Sequence, residues 1–255
     1  MRDIVIAGIG STSFGQHPNI SARELSAKAT AEAIYDSGLL SKQIGALYLG
    51  NFISGPLSGQ EVLAGLVSNE LGLGSIPATK VEGACASGGI AFRHACLAVS
   101  SGMTDAAIAV GVEKMSHAKG KEVTSALNCA MDNDADAPSG LTFPGLFGLV
   151  WRGYAEAFGA TRDQVSSVVC KNKSAGLKNP LAHMGANLTN EEISAGAMIA
   201  SPIRIHDCCP VSDGAAAVVV ARADIVDKNK DAISVLASVQ TSGSPRIAGH
   251  KNIYS

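Results

Sequence analysis

The sequence predicts an α/β fold, a layered and mostly parallel sheet with helices on both faces and an inserted, mainly helical segment. Two observations carry this. Over the first 115 residues, short apolar runs alternate with stretches of helical pattern, as in a parallel sheet covered by its own crossover helices. The region after Ser116 changes character and reads as successive capped helices, before strand pattern returns near residue 215.

The elements follow in order. Ile4 to Ala7 is an unbroken apolar run, as expected of a strand buried on both faces. Gly8-Ile9-Gly10 after it invites a dinucleotide-binding reading, but Ser13 stands where the third glycine belongs and no helix opens there. Ser21 and Glu24 form a capping box, which predicts a helix from Ala22 to Ser37 ended by Gly38. Leu47 to Leu49 is a second strand, 51–59 a loop and 60–71 a helix. Pro77 starts a strand over 78–82, a helix of small and apolar residues spans 89–101, and 106–112 is another strand. Residues 142–158 and 162–177 predict two helices, the second capped by Thr161 with Gln164; Thr189 and Glu192 cap a short third. Ala215 to Ala221 and Ile233 to Val239 are the last strands.

Composition excludes several functions. At 255 residues the chain can bury a large core, and the length allows one or two domains. A formal charge of -2 with no basic patch argues against nucleic acid as a partner. The N-terminus opens directly as a strand, so neither a secretion signal nor a membrane span is expected. Six cysteines without a C-x-x-C pair read as thiols of a reducing cytoplasm, with no disulfide framework or zinc site. The acidic run from Asp132 begins like a calcium loop, but its sixth position is Ala137 and its twelfth Phe143, so a solvated loop is expected and no metal.

The chemically pointed stretch is Val81-Glu82-Gly83-Ala84-Cys85-Ala86-Ser87-Gly88-Gly89. It sets one cysteine between a strand and a helix, where unpaired N–H groups and the positive end of the helix dipole favour a thiolate. The arrangement is similar to a nucleophile elbow, without its Gly-x-Ser-x-Gly. An isolated free cysteine is more often a small buried hydrophobe. Cys85 with its flanks, followed by Ala107 to Met115, resembles the nucleophile segment of the thiolases, closest to the sterol-carrier-protein-type and archaeal acetyl-CoA acetyltransferase branch.

That resemblance implies a thiolase-like fold and names further residues. Residues 1–117 correspond to the N-terminal half, 118–205 to an inserted loop domain that covers coenzyme A and the acyl group, 206–230 to the return strand, and 231–255 to the start of a second half. Leu146-Phe147-Gly148 falls where relatives carry a pocket-lining His-Met-Gly, so Phe147 and Gly148 are candidates for substrate binding; the alternative for Phe147 is plain core packing. Asp207 to Gly214 is similar to a second signature, with Cys209 at the small-residue position that contacts coenzyme A. Its alternative is a buried thiol in a tight turn, the reading preferred for Cys208.

The implied activity is a reversible Claisen condensation, with Cys85 as nucleophile, coenzyme A as substrate or product and no cofactor. The implied setting is lipid metabolism. The base and second cysteine of this chemistry belong to a second half that is largely missing, and Gly249-His250 does not replace them, because Lys251 stands where proline is expected. The chain thus reads as a first half truncated early in the second. Two alternatives stay open: a non-catalytic acyl-CoA-binding or interaction subunit, and a ketoacyl or hydroxymethylglutaryl-CoA synthase. Expected partners are acyl-CoA, further copies in a homodimer or dimer of dimers, and a chain supplying the missing half.

Overall fold

The structure, a computed structural model, describes residues 2–227, 231–244 and 246–254. Its elements are β1 (Ile4–Ser11), α1 (Ala22–Ser37), β2 (Ala46–Gly50), α2 (Ser54–Ser58), α3 (Leu63–Glu70), β3 (Ala78–Val81), α4 (Ser87–Ser100) and β4 (Ala106–Glu113). There follow α5 (Gly120–Asn128), α6 (Phe143–Phe158), α7 (Arg162–Gly176), α8 (Asn190–Ala195), β5 (Met198–Ala200), β6 (Ile203–Arg204), β7 (Gly214–Arg222) and β8 (Ile233–Ser234). Contacts divide the chain into two units, Met1–Ala118 with Ser212–Thr241, and Lys119–Val211 with Ser242–Ser255.

The first unit is built on a six-stranded sheet in the order β3-β2-β4-β7-β1-β8. β3, β2 and β4 pair in parallel, as crossover helices require, while β7 pairs antiparallel with both β4 and β1. β1 therefore points the same way as β2, β3 and β4, and the mostly parallel sheet expected from the alternating pattern is present. β8 joins β1 antiparallel through Ile6 with Ile233 and Val5 with Ser234, shorter than the strand expected over 233–239.

Helices cover both faces. On one, Leu25, Ala29 and Ala33 of α1 and Leu63 and Val67 of α3 pack on Leu47, Leu49, Ile108, Val110 and Val219. On the other, Ala91, Ala95 and Val99 of α4 pack on Ala107, Ala109 and Val220. Gly8 and Gly10 allow α1 its close approach: a Cβ on Gly10 would lie 2.1 Å from the carbonyl oxygen of Ala29, and one on Gly8 2.3 Å from that of Ala33. These glycines serve helix–sheet packing, the structural reason behind a motif that fails as a nucleotide loop.

α1 begins with the expected capping box and ends at Gly38 with φ 69°. The helix expected over 60–71 is shorter, and the preceding loop contains α2. In the second unit α6, α7 and α8 start at Thr142, Thr161 and Thr189, whose side chains accept N–H groups of the first turn. α5 was not expected; its signal was Glu122, which accepts the backbone N–H of Lys119 at 2.8 Å, with Val123 and Ala126 one turn apart and buried. The Asp132 loop is held by its own chain, since Asp132 accepts the N–H groups of Asp134 and Ala135 and pairs with Arg246, and Asp136 is buried. No described helix is long and apolar enough to cross a membrane.

Candidate active site

β3 ends at Val81, and the chain enters α4 through a single 3-10 turn, Ala84–Ala86, that carries Cys85. Ala84 has φ 48°, the one positive φ of a non-glycine among the described residues. Left-handed backbone costs an L-residue about 1–2 kcal/mol, so this turn persists only because neighbours hold it. Glu82 Oε1 accepts the Ala84 N–H at 2.5 Å. The buried Ser87 hydroxyl accepts the Gly83 N–H at 2.9 Å and donates to the Ala84 carbonyl at 2.7 Å. Underneath, a Cβ on Gly50 would sit 2.3 Å from the Ser87 carbonyl oxygen, so the end of β2 is packed directly against the start of α4.

These constraints leave the Cys85 thiol exposed at the entrance to a helix of 14 residues. The Ser87 N–H at the start of that helix is taken by the Ala84 carbonyl, and the positive end of the helix dipole faces the side from which the chain enters, where it favours negative charge. Ala86, Gly88 and Gly89 around it are exposed and carry almost no side chain, leaving the thiol open to a bulky thioester. All six cysteines are free thiols.

At the same end of the sheet, β2 and β4 place two polar groups. The Glu113 carboxylate accepts the Phe52 N–H at 2.6 Å, the Ile53 N–H at 3.3 Å and the Asn51 amide at 3.0 Å. Burial nevertheless pushes its pKa above the usual carboxylate range, against the lowering effect of the Phe52 and Ile53 N–H groups and the Lys80 ammonium. Asn51, fully buried, also donates to the Val112 carbonyl at 2.9 Å, so this carboxylate and amide fix the loop after β2.

Asp213, from the second signature, lies completely buried and has a structural task. It meets the Lys114 ammonium at 2.7 Å and accepts the N–H groups of Met115, Ser116 and His17. Burial alone would raise its pKa; Lys114, Ser116 and the backbone donors outweigh that and hold it well below the usual range.

The other candidates belong to the second unit. Phe147 on α6 is 57% exposed, so it is not core in this unit. Gly148 is buried, and a Cβ there would come within 3.0 Å of the Ser201 carbonyl oxygen and 3.3 Å of that of Ala200. Close packing of α6 on this backbone thus requires a glycine here. Cys209 is exposed, just after a 3-10 turn at Ile205–Asp207. Cys208 is half-buried with its thiol directed at the Arg204 carbonyl, 3.6 Å away; burial, then Asp207 and Cys209, raise its pKa. His250 hydrogen-bonds the Ser244 carbonyl at 3.0 Å. No group of three or more His, Cys, Asp or Glu side chains suited to a metal occurs among the described residues.

Comparison with known proteins places this arrangement. The family profile described as "Thiolase, N-terminal domain" matches residues 4–188. An acetyl-CoA acetyltransferase of Methanothermobacter thermautotrophicus is 37% identical over 254 residues, 99% of this chain and 66% of that protein. One from Methanocaldococcus jannaschii is 38% identical over 261 residues, 100% of this chain and 65% of that protein. The chain thus spans slightly less than two thirds of these relatives. Among solved structures, "Ltp2-ChsH2(DUF35) aldolase" superposes with a TM-score of 0.78 at 22% identity, over 99% of this chain and 65% of that one. With the profile covering most of its length, the chain belongs to the thiolase family.

Proposed function

We propose that this chain carries the nucleophile of a thiolase-type acyl transfer, with acyl-CoA and 3-ketoacyl-CoA as substrates. The observation that carries the reading is the exposed Cys85 thiol, held at the mouth of α4 by a strained turn that Glu82 and Ser87 secure. The Cys85 thiolate attacks the thioester carbonyl carbon of acetyl-CoA, the carbon–sulfur bond to coenzyme A breaks, and coenzyme A leaves as thiolate. With a 3-ketoacyl-CoA, attack falls on the keto carbon and the acetyl-CoA enolate leaves instead. In both cases a thioester on Cys85 remains, ready for transfer to coenzyme A or to the acetyl-CoA enolate. The Cys85 N–H and the first turn of α4 are donors suited to the oxyanion of the tetrahedral intermediate.

Cys209 is read as a contact to coenzyme A, and Phe147 with Gly148 as contacts to the acyl chain. The base that removes the proton from carbon 2 is not assigned to any residue of this chain. Partners follow the same reading: a homodimer or dimer of dimers, with a chain supplying further catalytic groups; similarity to an aldolase named with a DUF35 component makes a protein of that class a second candidate.

The test is intact-mass spectrometry of the purified chain after incubation with acetyl-CoA or acetoacetyl-CoA, beside Cys85→Ser. An acetyl adduct on the native sequence that Cys85→Ser lacks is the expected result. A folded chain that binds coenzyme A and acquires no adduct would overturn acyl transfer and favour a binding subunit.

A further inference from the structure

We propose that Arg162 is a positioning residue for coenzyme A, because it fixes the turn that presents Cys209. The inference rests on the reading of Cys209 as a coenzyme A contact. Arg162 is the first residue of α7 and reaches three other elements. Its guanidinium grips Asp207 as a fork, Nη1 to Oδ2 at 2.7 Å and Nη2 to Oδ1 at 3.0 Å. Nη2 also donates to the Ile193 carbonyl of α8 at 3.5 Å, and the group lies 5.2 Å over the Trp151 ring of α6.

Asp207 passes this constraint to the turn. Its side chain is only 6% exposed, and Oδ2 accepts the Arg204 N–H at 2.8 Å, closing Ile205–Asp207 into its 3-10 turn. The Arg204 side chain in turn donates to the Gly196 carbonyl at 2.7 Å. Cys208 continues the turn with its N–H on the Ile205 carbonyl, and Cys209 is the next residue, exposed. From Arg162 the chain of contacts runs through a planar fork, a carboxylate with both oxygens engaged and a hydrogen-bonded turn that ends at Cys208, the residue before Cys209.

A guanidinium suits this task and an ammonium does not. Two parallel N–H bonds fix the carboxylate in a plane, and the same group sits over the indole face; lysine supplies the charge alone. Arg162→Lys therefore keeps the ion pair while loosening the direction in which Asp207 and the following cysteines point.

The experiment uses the full chain as native sequence, Arg162→Lys, Arg162→Gln and Arg162→Gln/Asp207→Asn. It reads two quantities: the Kd of coenzyme A by titration calorimetry, and the rate of Cys85 acetylation by a short thioester lacking the nucleotide, S-acetyl-N-acetylcysteamine. Expected is coenzyme A binding weaker by about tenfold in Arg162→Lys and further in Arg162→Gln, a difference that corresponds to about 1.4 kcal/mol per decade. The double variant should bind no more weakly than Arg162→Gln, and acetylation by the short thioester should stay within about twofold, since it does not use the Cys209 contact. Equal Kd values in the native chain and Arg162→Lys would overturn the inference alone. So would a parallel loss of both quantities, which would mark a general loss of structure. A native chain that neither binds coenzyme A nor acetylates Cys85 would overturn the acyl-transfer reading together with it.

Discussion

Lys114 and Asp213 meet as a buried ion pair, Nζ to Oδ2 at 2.7 Å, across 99 positions of sequence. Asp213 is fully buried and Lys114 nearly so, so each is tolerable only because of the other and of the hydrogen bonds around them. Asp213→Asn leaves a buried ammonium without its counter-charge and is expected to lower the unfolding free energy by about 3–5 kcal/mol, measured by denaturant titration. The pH dependence follows from the lowered pKa of Asp213. Its contribution is fully present above the ordinary unfolded-state value of about 4, and is lost as pH falls from there toward the depressed folded value. The native chain should therefore lose stability in acid faster than Asp213→Asn does.

Glu113 titrates with the opposite sign. Its folded pKa is raised by burial, so its contribution is fully present below the unfolded value of about 4.3 and is lost as pH rises through the raised folded value. Glu113→Gln removes the titration and keeps one acceptor oxygen. The variant should be most destabilised, relative to the native chain, in mild acid and less so above neutrality, in thermal melts across that window. Glu113→Ala also strands the N–H groups of Phe52 and Ile53 and should cost about 1–3 kcal/mol in mild acid, a cost that declines above neutrality as it does for the glutamine variant.

The turn before the nucleophile gives a paired prediction. Ser87→Ala removes both the acceptor for Gly83 and the donor to Ala84, and should cost about 1–2 kcal/mol while slowing acetylation of Cys85. Ala84→Gly relieves the positive φ and should stay within about 1 kcal/mol of the native chain, whereas the branched side chain of Ala84→Val should destabilise it. Equal stability of the glycine and valine variants would contradict the strained turn.

On α6, adjacent residues should separate. Phe147→Ala, at an exposed side chain, should leave the melting temperature nearly unchanged and alter the preference among acyl chain lengths in the mass assay. Gly148→Ala forces a methyl against the Ser201 and Ala200 carbonyls and should lower stability. A stability loss at Phe147 comparable with that at Gly148 would return Phe147 to core packing.

Local signals explain how much was legible. The boxes at Ser21, Thr161 and Thr189 announce their helices because side chain and N–H lie three residues apart, and the Cys85 segment is a continuous stretch of small residues between strand and helix. The pairings of Lys114 with Asp213, and of Arg162 with Asp207, join residues distant in sequence and leave no local pattern. The left-handed Ala84 was equally hidden, since alanine gives no hint of positive φ; only the geometry of Ser87 and Glu82 around it does. Gly148 was legible as a position but not in its role, because the backbone that excludes a methyl there comes from residues 200 and 201.

The place of β7 has a consequence for synthesis. β7 lies between β4 and β1 in the sheet, yet it is made only after the whole of 119–211. Until residue 222 has left the ribosome, β4 presents an open edge and β1, whose other neighbour β8 comes later still, has no strand partner on either side; both carry apolar residues such as Val5, Ala7, Ile108 and Val110. The nascent chain therefore passes through a long interval in which only β3, β2 and β4 can pair, while β1 stays unpaired and open to wrong strands. Protection of those edges during translation, by a chaperone or by early packing of α1 and α4, becomes a condition for recovering the folded protein.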